Sequence, residues 1–144
     1  MTQEPTSGAP APFTLRAIGT VQSPLSDLAL APRQGDEGGP EAVLRLDDEV
    51  AEAARDLQPG SEVFVLTWLH LARRDVLSVH PRDNPDNPLT GVFSTRSQDR
   101  PNPIGLHRVT IVAVEGTCVR VRDLEAIDGT PVVDVKPVLR PDGR

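Results

Sequence analysis

Apolar residues fall in short runs of period two, separated by breaks rich in proline and glycine, a pattern that predicts strands rather than helices. FTLRAIGTV (13–21) sets Phe13, Leu15, Ala17 and Gly19 against Thr14, Arg16 and Ile18, and predicts a first strand ending at Ser23-Pro24. Ala42 to Leu46 predicts a second, short one. Glu62 to Leu71 is the most apolar run, and its Val, Phe, Thr and Trp content predicts a buried strand. Further strands are predicted over Asp75 to His80, His107 to Glu115, Cys118 to Leu124 and Pro131 to Val138, with Asp128-Gly129 as a hairpin signal before the last. Only one stretch has helical spacing. Val50, Ala53, Ala54 and Leu57 follow a capping Asp47 or Asp48 and stop at Pro59-Gly60. About seven or eight strands, one short helix, long loops and no internal repeat predict a mostly β, single-domain antiparallel barrel.

The breaks carry the polar chemistry. Residues 1–12 have no hydrophobic period and predict a disordered leader to a domain over 13–140. Residues 22–41 form a long loop that holds Pro32-Arg33-Gln34-Gly35. TGVFSTRSQDRPNPIGLH (90–107) is the densest polar stretch. Pro101 and Pro103 keep Arg100 and Asn102 on extended backbone, and Gly105 permits a close approach. A stiff loop of guanidinium and amide donors suits an anionic or hydrogen-bonding ligand; it equally describes a polar turn between strands. Asp128 and Asp134, the latter beside Lys136, form either a charged cluster near Arg96 or Arg100, or a turn residue and a surface pair.

Composition narrows the classes. A chain of 144 residues holds one core. Three Phe, one Trp and no Tyr argue against a stacking platform for single-stranded nucleic acid. The net charge of −6 repels nucleic acid and anionic membranes, so an RNA substrate would need a local basic patch. Every basic residue except Lys136 is an arginine, which fits phosphate recognition or a codon bias shared by the Ala- and Pro-rich chain. The lone Cys118, the lack of a signal peptide and the lack of a long apolar run predict a cytoplasmic protein with no membrane partner. His70, His80 and His107 lie in separate segments without metal spacing, so no metal is expected. Ser94, His107 and Asp128 could be drawn as a triad, but no nucleophile elbow accompanies them.

Ile18-Gly19-Thr20 with Ser23-Pro24, Pro32-Arg33-Gln34, GVFSTRSQDRPNPIGL and DGTPVVDVKP together resemble the TsaA-like, or TrmO-type, family of S-adenosylmethionine-dependent methyltransferases. The resemblance spans residues 16–137. It implies a TsaA-like β-barrel, a homodimer with S-adenosylmethionine in a cleft near the subunit interface, and methylation of the amino nitrogen of threonylcarbamoyl-modified adenosine beside a tRNA anticodon. It places Arg33, Gln34, Gly35, His70, Arg96, Leu106, Asp123, Leu124 and Glu125 at the cofactor. Asp128, Asp134, Arg100 and Asn102 are then the candidate catalytic residues, with Asp128 or Asp134 as proton acceptor. The chain departs from the family pattern at Leu71, at His107 (where a small residue is usual) and at Val138 (where Tyr is common). The better-known bacterial members also carry a further C-terminal domain past the point where this chain stops. Cofactor use is therefore better supported than a tRNA acceptor. A small-molecule methyltransferase and a non-catalytic S-adenosylmethionine-binding module are the alternatives.

Overall fold

The computed structural model describes residues 12–24 and 41–140. Their strands are β1 (Gly19–Gln22), β2 (Ala42–Leu46), β3 (Glu62–Trp68), β4 (Ser78–Val79), β5 (Thr90–Gly91), β6 (Ile104–Glu115), β7 (Cys118–Arg122) and β8 (Pro131–Pro137). Six of these close a barrel in the order β1-β2-β7-β6-β3-β8, with β8 pairing back onto β1 and every neighbouring pair antiparallel. β4 and β5 form a separate two-stranded ribbon. The mostly β, single-barrel architecture is the one that the period-two pattern predicts.

Alternate side chains fill the barrel. Val63 and Val65 from β3 meet Val109 and Ile111 from β6, Val119 and Val121 from β7, Leu44 from β2, Val21 from β1 and Val132 from β8. A buried aliphatic side chain of this size contributes about 1.5–3 kcal/mol, and a closed barrel leaves no unpaired edge. β6 and β7 form a tight hairpin at Gly116, whose φ of 63° is one that a side chain disfavours. A 3-10 turn (Asp48–Val50) runs into helix α1 (Ala51–Ala54), and its buried Ala54 packs on the core.

Several boundaries differ from the sequence expectation. Regular pairing in the first strand begins at Gly19, not Phe13; Phe13 is 82% and Leu15 49% exposed, so the alternation there has no partner to face. β3 stops at Trp68 because the next amide, that of Leu69, bonds the Pro103 carbonyl (2.8 Å) and the chain then turns, with Ala72 N–H donating to Leu69 O. The expected 75–80 strand shrinks to Ser78–Val79. β6 starts at Ile104, three residues before the expected start, so the last three residues of the RPNPIGL motif are strand. Asp128-Gly129 does turn, but β7 and β8 are not neighbours and form no hairpin. That turn docks on the β1 end instead: Gly129 N–H donates to Val21 O (2.7 Å) and Ser23 N–H donates to Asp128 Oδ1 (3.0 Å). The expected aspartate cap on the helix is missing, since Asp47 makes no side-chain bond there. The expected leader, apart from Pro12, and most of the 22–41 loop lie outside the described residues. Among those described, no helix is long and apolar enough to cross a membrane.

Candidate functional site

Between β3 and β6 the chain makes one long excursion, 69–103, and returns over the end of the barrel. Side-chain bonds to backbone shape it. The Arg100 guanidinium donates to three carbonyls, those of Ser97 (2.8 Å), Val92 (2.9 Å) and Thr95 (2.7 Å). Asp99 Oδ1 accepts from the Arg73 amide (2.8 Å), and Arg100 N–H donates to Arg73 O (3.1 Å). Arg74 donates to Pro101 O (2.8 Å) and to Asn102 Oδ1 (2.9 Å), and its guanidinium carbon lies 5.1 Å from the Trp68 ring centroid. Charged donors on fixed carbonyls make stronger bonds than neutral pairs, so a few side chains can hold an excursion whose only ladder is the short β4–β5 pairing.

This framework encloses a cavity of about 630 Å³ at the barrel mouth. His70, Arg96, Leu106 and Glu125 line it, four of the residues expected at a cofactor, drawn from three separated stretches of chain. Arg96 has no hydrogen-bond or ion-pair partner among the described residues, so its guanidinium is available. Arg100 also lines the cavity, but its donors are committed to the loop's own carbonyls. Asn102 lies outside it, on a second, more apolar recess of about 490 Å³ formed with Phe13, Leu15, Trp68 and Arg74. Leu124 is fully buried in the barrel core, and Asp123, partly buried with a φ of 70°, does not line the cavity.

Asp128 is exposed in its turn, and Asp134 pairs with Lys136 (3.1 Å) while accepting from the Val135 amide (2.9 Å). Neither lines the cavity, and the cluster with Arg96 or Arg100 does not form; the cross-strand direction of β8 carries Asp134 elsewhere. Arg33, Gln34 and Gly35 lie outside the described residues. Among the described residues, no group of three or more His, Cys, Asp or Glu could hold a metal ion.

Sequence reasoning left one cavity residue without a role and passed over others. Gly105, His107, Val109 and Ile111 alternate along the inner face of β6, and His107 lines the cavity floor. Its Nε2 lies 2.7 Å from Oγ1 of Thr67, which is itself completely buried on the inner face of β3. Burial pushes the His107 imidazole down to about 4, so it is neutral at physiological pH. Gly105 lies opposite Thr67, where a Cβ would come within 2.4 Å of that hydroxyl and 2.7 Å of Nε2. The glycine therefore keeps the floor open. The β3–β8 register shifts between Leu66 and Thr67, a bulge of the kind that re-aims side chains at a barrel rim. Phe93, 83% exposed, stands at the cavity wall.

The tRNA-methyltransferase O N-terminal domain model matches residues 20–141. A protein of Methanothermobacter thermautotrophicus named "Probable S-adenosyl-L-methionine-binding protein" is 44% identical over 123 residues, which cover 85% of this chain and 88% of that one. An "S-adenosyl-L-methionine-binding protein" of Archaeoglobus fulgidus is 41% identical over 122 residues, 85% of this chain and 86% of that one. The crystal structure of TrmO from Pseudomonas aeruginosa superposes with a TM-score of 0.73 at 27% identity, over 92% of this chain. That match spans 57% of the longer TrmO chain.

Proposed function

We propose, for a chain that belongs to the tRNA-methyltransferase O N-terminal domain family, that the barrel-mouth cavity binds S-adenosylmethionine and directs its methyl group to an amino nitrogen of a modified adenosine in tRNA. The observation that carries this reading is the convergence of His70, Arg96, Leu106 and Glu125 on one cavity of about 630 Å³. A space of that size suits a ligand of this kind. The residues fit the cofactor's parts. Arg96, with no partner among the described residues, can take a carboxylate, and Leu106 with Ala126 and Ile127 gives an apolar slot for a flat base.

When bound, S-adenosylmethionine supplies an electrophilic sulfonium methyl group. The protein's task is alignment and exclusion of water, for which orientation contributes several kcal/mol, about 7 or more in the best cases. Arg100 serves by holding the 92–100 loop as a wall of the cavity through its three carbonyl bonds. Asn102 serves by fixing Arg74 against Trp68. Proton acceptance by Asp128 or Asp134 would require those carboxylates to approach a cavity they do not line, and we assign it to neither. Leu71 (71% exposed) and Phe93 flank the cavity and offer a second copy of the chain an apolar surface, consistent with a homodimer whose cleft lies near the interface. A tRNA acceptor would be met in the cytoplasm, and that is the location this reading carries.

The net charge of −6 favours one other reading, methylation of a small molecule in the same cavity. Incubation with labelled S-adenosylmethionine and bulk tRNA from a strain lacking the modification separates the two. Label in tRNA, lost as salt is raised, is the expected result; cofactor binding without transfer to tRNA would leave the small-molecule reading, and no cofactor binding would overturn both.

A further inference from the structure

We propose that His107 presents a fixed, uncharged Nδ1–H donor on the cavity floor and that this donor binds a ring nitrogen of the cofactor's adenine. This inference rests on the cofactor reading above.

Thr67 has no exposed surface, and its only hydrogen-bond partner among the described residues is His107 Nε2, at 2.7 Å. A buried hydroxyl hydrogen with no acceptor is costly, and Nε2 is the acceptor in reach. Thr67 therefore donates and Nε2 accepts, which leaves the imidazole proton on Nδ1. Burial keeps the ring neutral, so the Nε2 lone pair is there to accept. Val109 and Ile111 continue the same inner face below the ring, and Gly105, opposite Thr67, leaves no side chain above Nε2. The Thr67 bond thus fixes the imidazole.

Nδ1 has no hydrogen-bond partner among the described residues, although its ring is partly buried and lines the cavity. The other polar floor residue is already occupied, since the Thr130 hydroxyl donates to Ile127 O (2.7 Å). A lone donor in such a place calls for an acceptor from a ligand. Leu69 and the ring both approach Gly105, and the apolar Ala126 and Ile127 line the same cavity, so a flat heterocycle with a ring nitrogen suits this floor better than a desolvated carboxylate does. Arg96 remains to take the carboxylate.

The test uses calorimetric titration of the full chain and of His107→Ala and His107→Asn with two ligands, S-adenosylmethionine and 5′-methylthioadenosine, which shares the adenine but lacks the amino-acid part. The account expects His107→Ala to bind both ligands about tenfold more weakly. It expects His107→Asn to recover most of that loss, because the asparagine amide nitrogen falls close to the place of Nδ1. Nitrogen–proton correlation spectra of the ligand-free protein should show the Nδ1–H tautomer, a readout that does not depend on the variants folding. Unchanged affinity of the alanine variant, a loss confined to S-adenosylmethionine, or an Nε2–H tautomer would each overturn the assignment. A wild-type chain that binds neither ligand would overturn the cofactor reading itself, whereas wild-type binding with His107→Ala unaffected overturns only the role of His107.

Discussion

In the barrel, Val65, Val109, Val119 and Val121 have no exposed surface, and each strand is bonded to a neighbour on both sides. In the 69–103 excursion only Val92 and Pro103 are buried, and the chain keeps its course through bonds from Arg73, Arg74, Asp99 and Arg100. The first region is stabilised by many interchangeable apolar contacts. The second depends more on directional bonds, among them the short β4–β5 pairing. Damage to the barrel should therefore appear as lost stability with the cavity chemistry intact in whatever remains folded. Damage to the excursion should appear first in the cavity.

The sharpest way to break that contrast is in the core. Ile111→Ala should cost about 3 kcal/mol, read by urea denaturation, with cofactor affinity unchanged in the folded fraction. A loss in binding larger than the loss in stability would mean that the two regions are not separable.

A second effect arises where they meet. His107 titrates near 4 in the folded chain against an ordinary value near 6.5, so between those two values the unfolded chain holds more protons. Stability should be level above about pH 6.5 and should fall as pH drops towards 4, by on the order of 3 kcal/mol in total. His107→Phe should flatten that slope in denaturation curves taken from pH 4 to pH 7. An unchanged slope would place the ring in solvent.

Arg100→Ala should cost about 2 kcal/mol and weaken cofactor binding by more than the stability change accounts for, since three carbonyls lose their donor and a cavity wall loosens. Arg100→Lys should not rescue it, because one ammonium cannot reproduce the fork. The smallest effect is expected on the barrel's outer face. There Arg108 pairs with Glu62 (2.9 Å) and holds that carboxylate below its usual range, but both side chains are about half exposed. Glu62→Gln should leave the thermal midpoint and the binding unmoved.

How far these features could be read in advance follows the same division. Period two located the barrel strands, because each inner position is repaid by burial. It failed at Phe13 and Leu15, where the alternation continues but no strand lies opposite, and at Asp128-Gly129, where a turn suited to a hairpin joins strands that are not neighbours. Local turn chemistry does not encode which strand comes next in the sheet. In the RPNPIGL motif the prolines masked a strand start, so the pairing of Gly105 with Thr67 beside His107 was not foreseen. Arg96 and Arg100 look alike in sequence. Only the fold separates the guanidinium spent on its own loop from the one left open to a ligand.

The convergence of separate segments on one cofactor cavity is most directly tested by calorimetric titration of S-adenosylmethionine into the wild-type chain and into Arg96→Ala, with circular dichroism confirming that both are folded. The account predicts binding to the wild type and binding at least tenfold weaker to the variant, the scale of one charge-assisted hydrogen bond. Equal dissociation constants, or a folded wild type that takes up no cofactor, would contradict it.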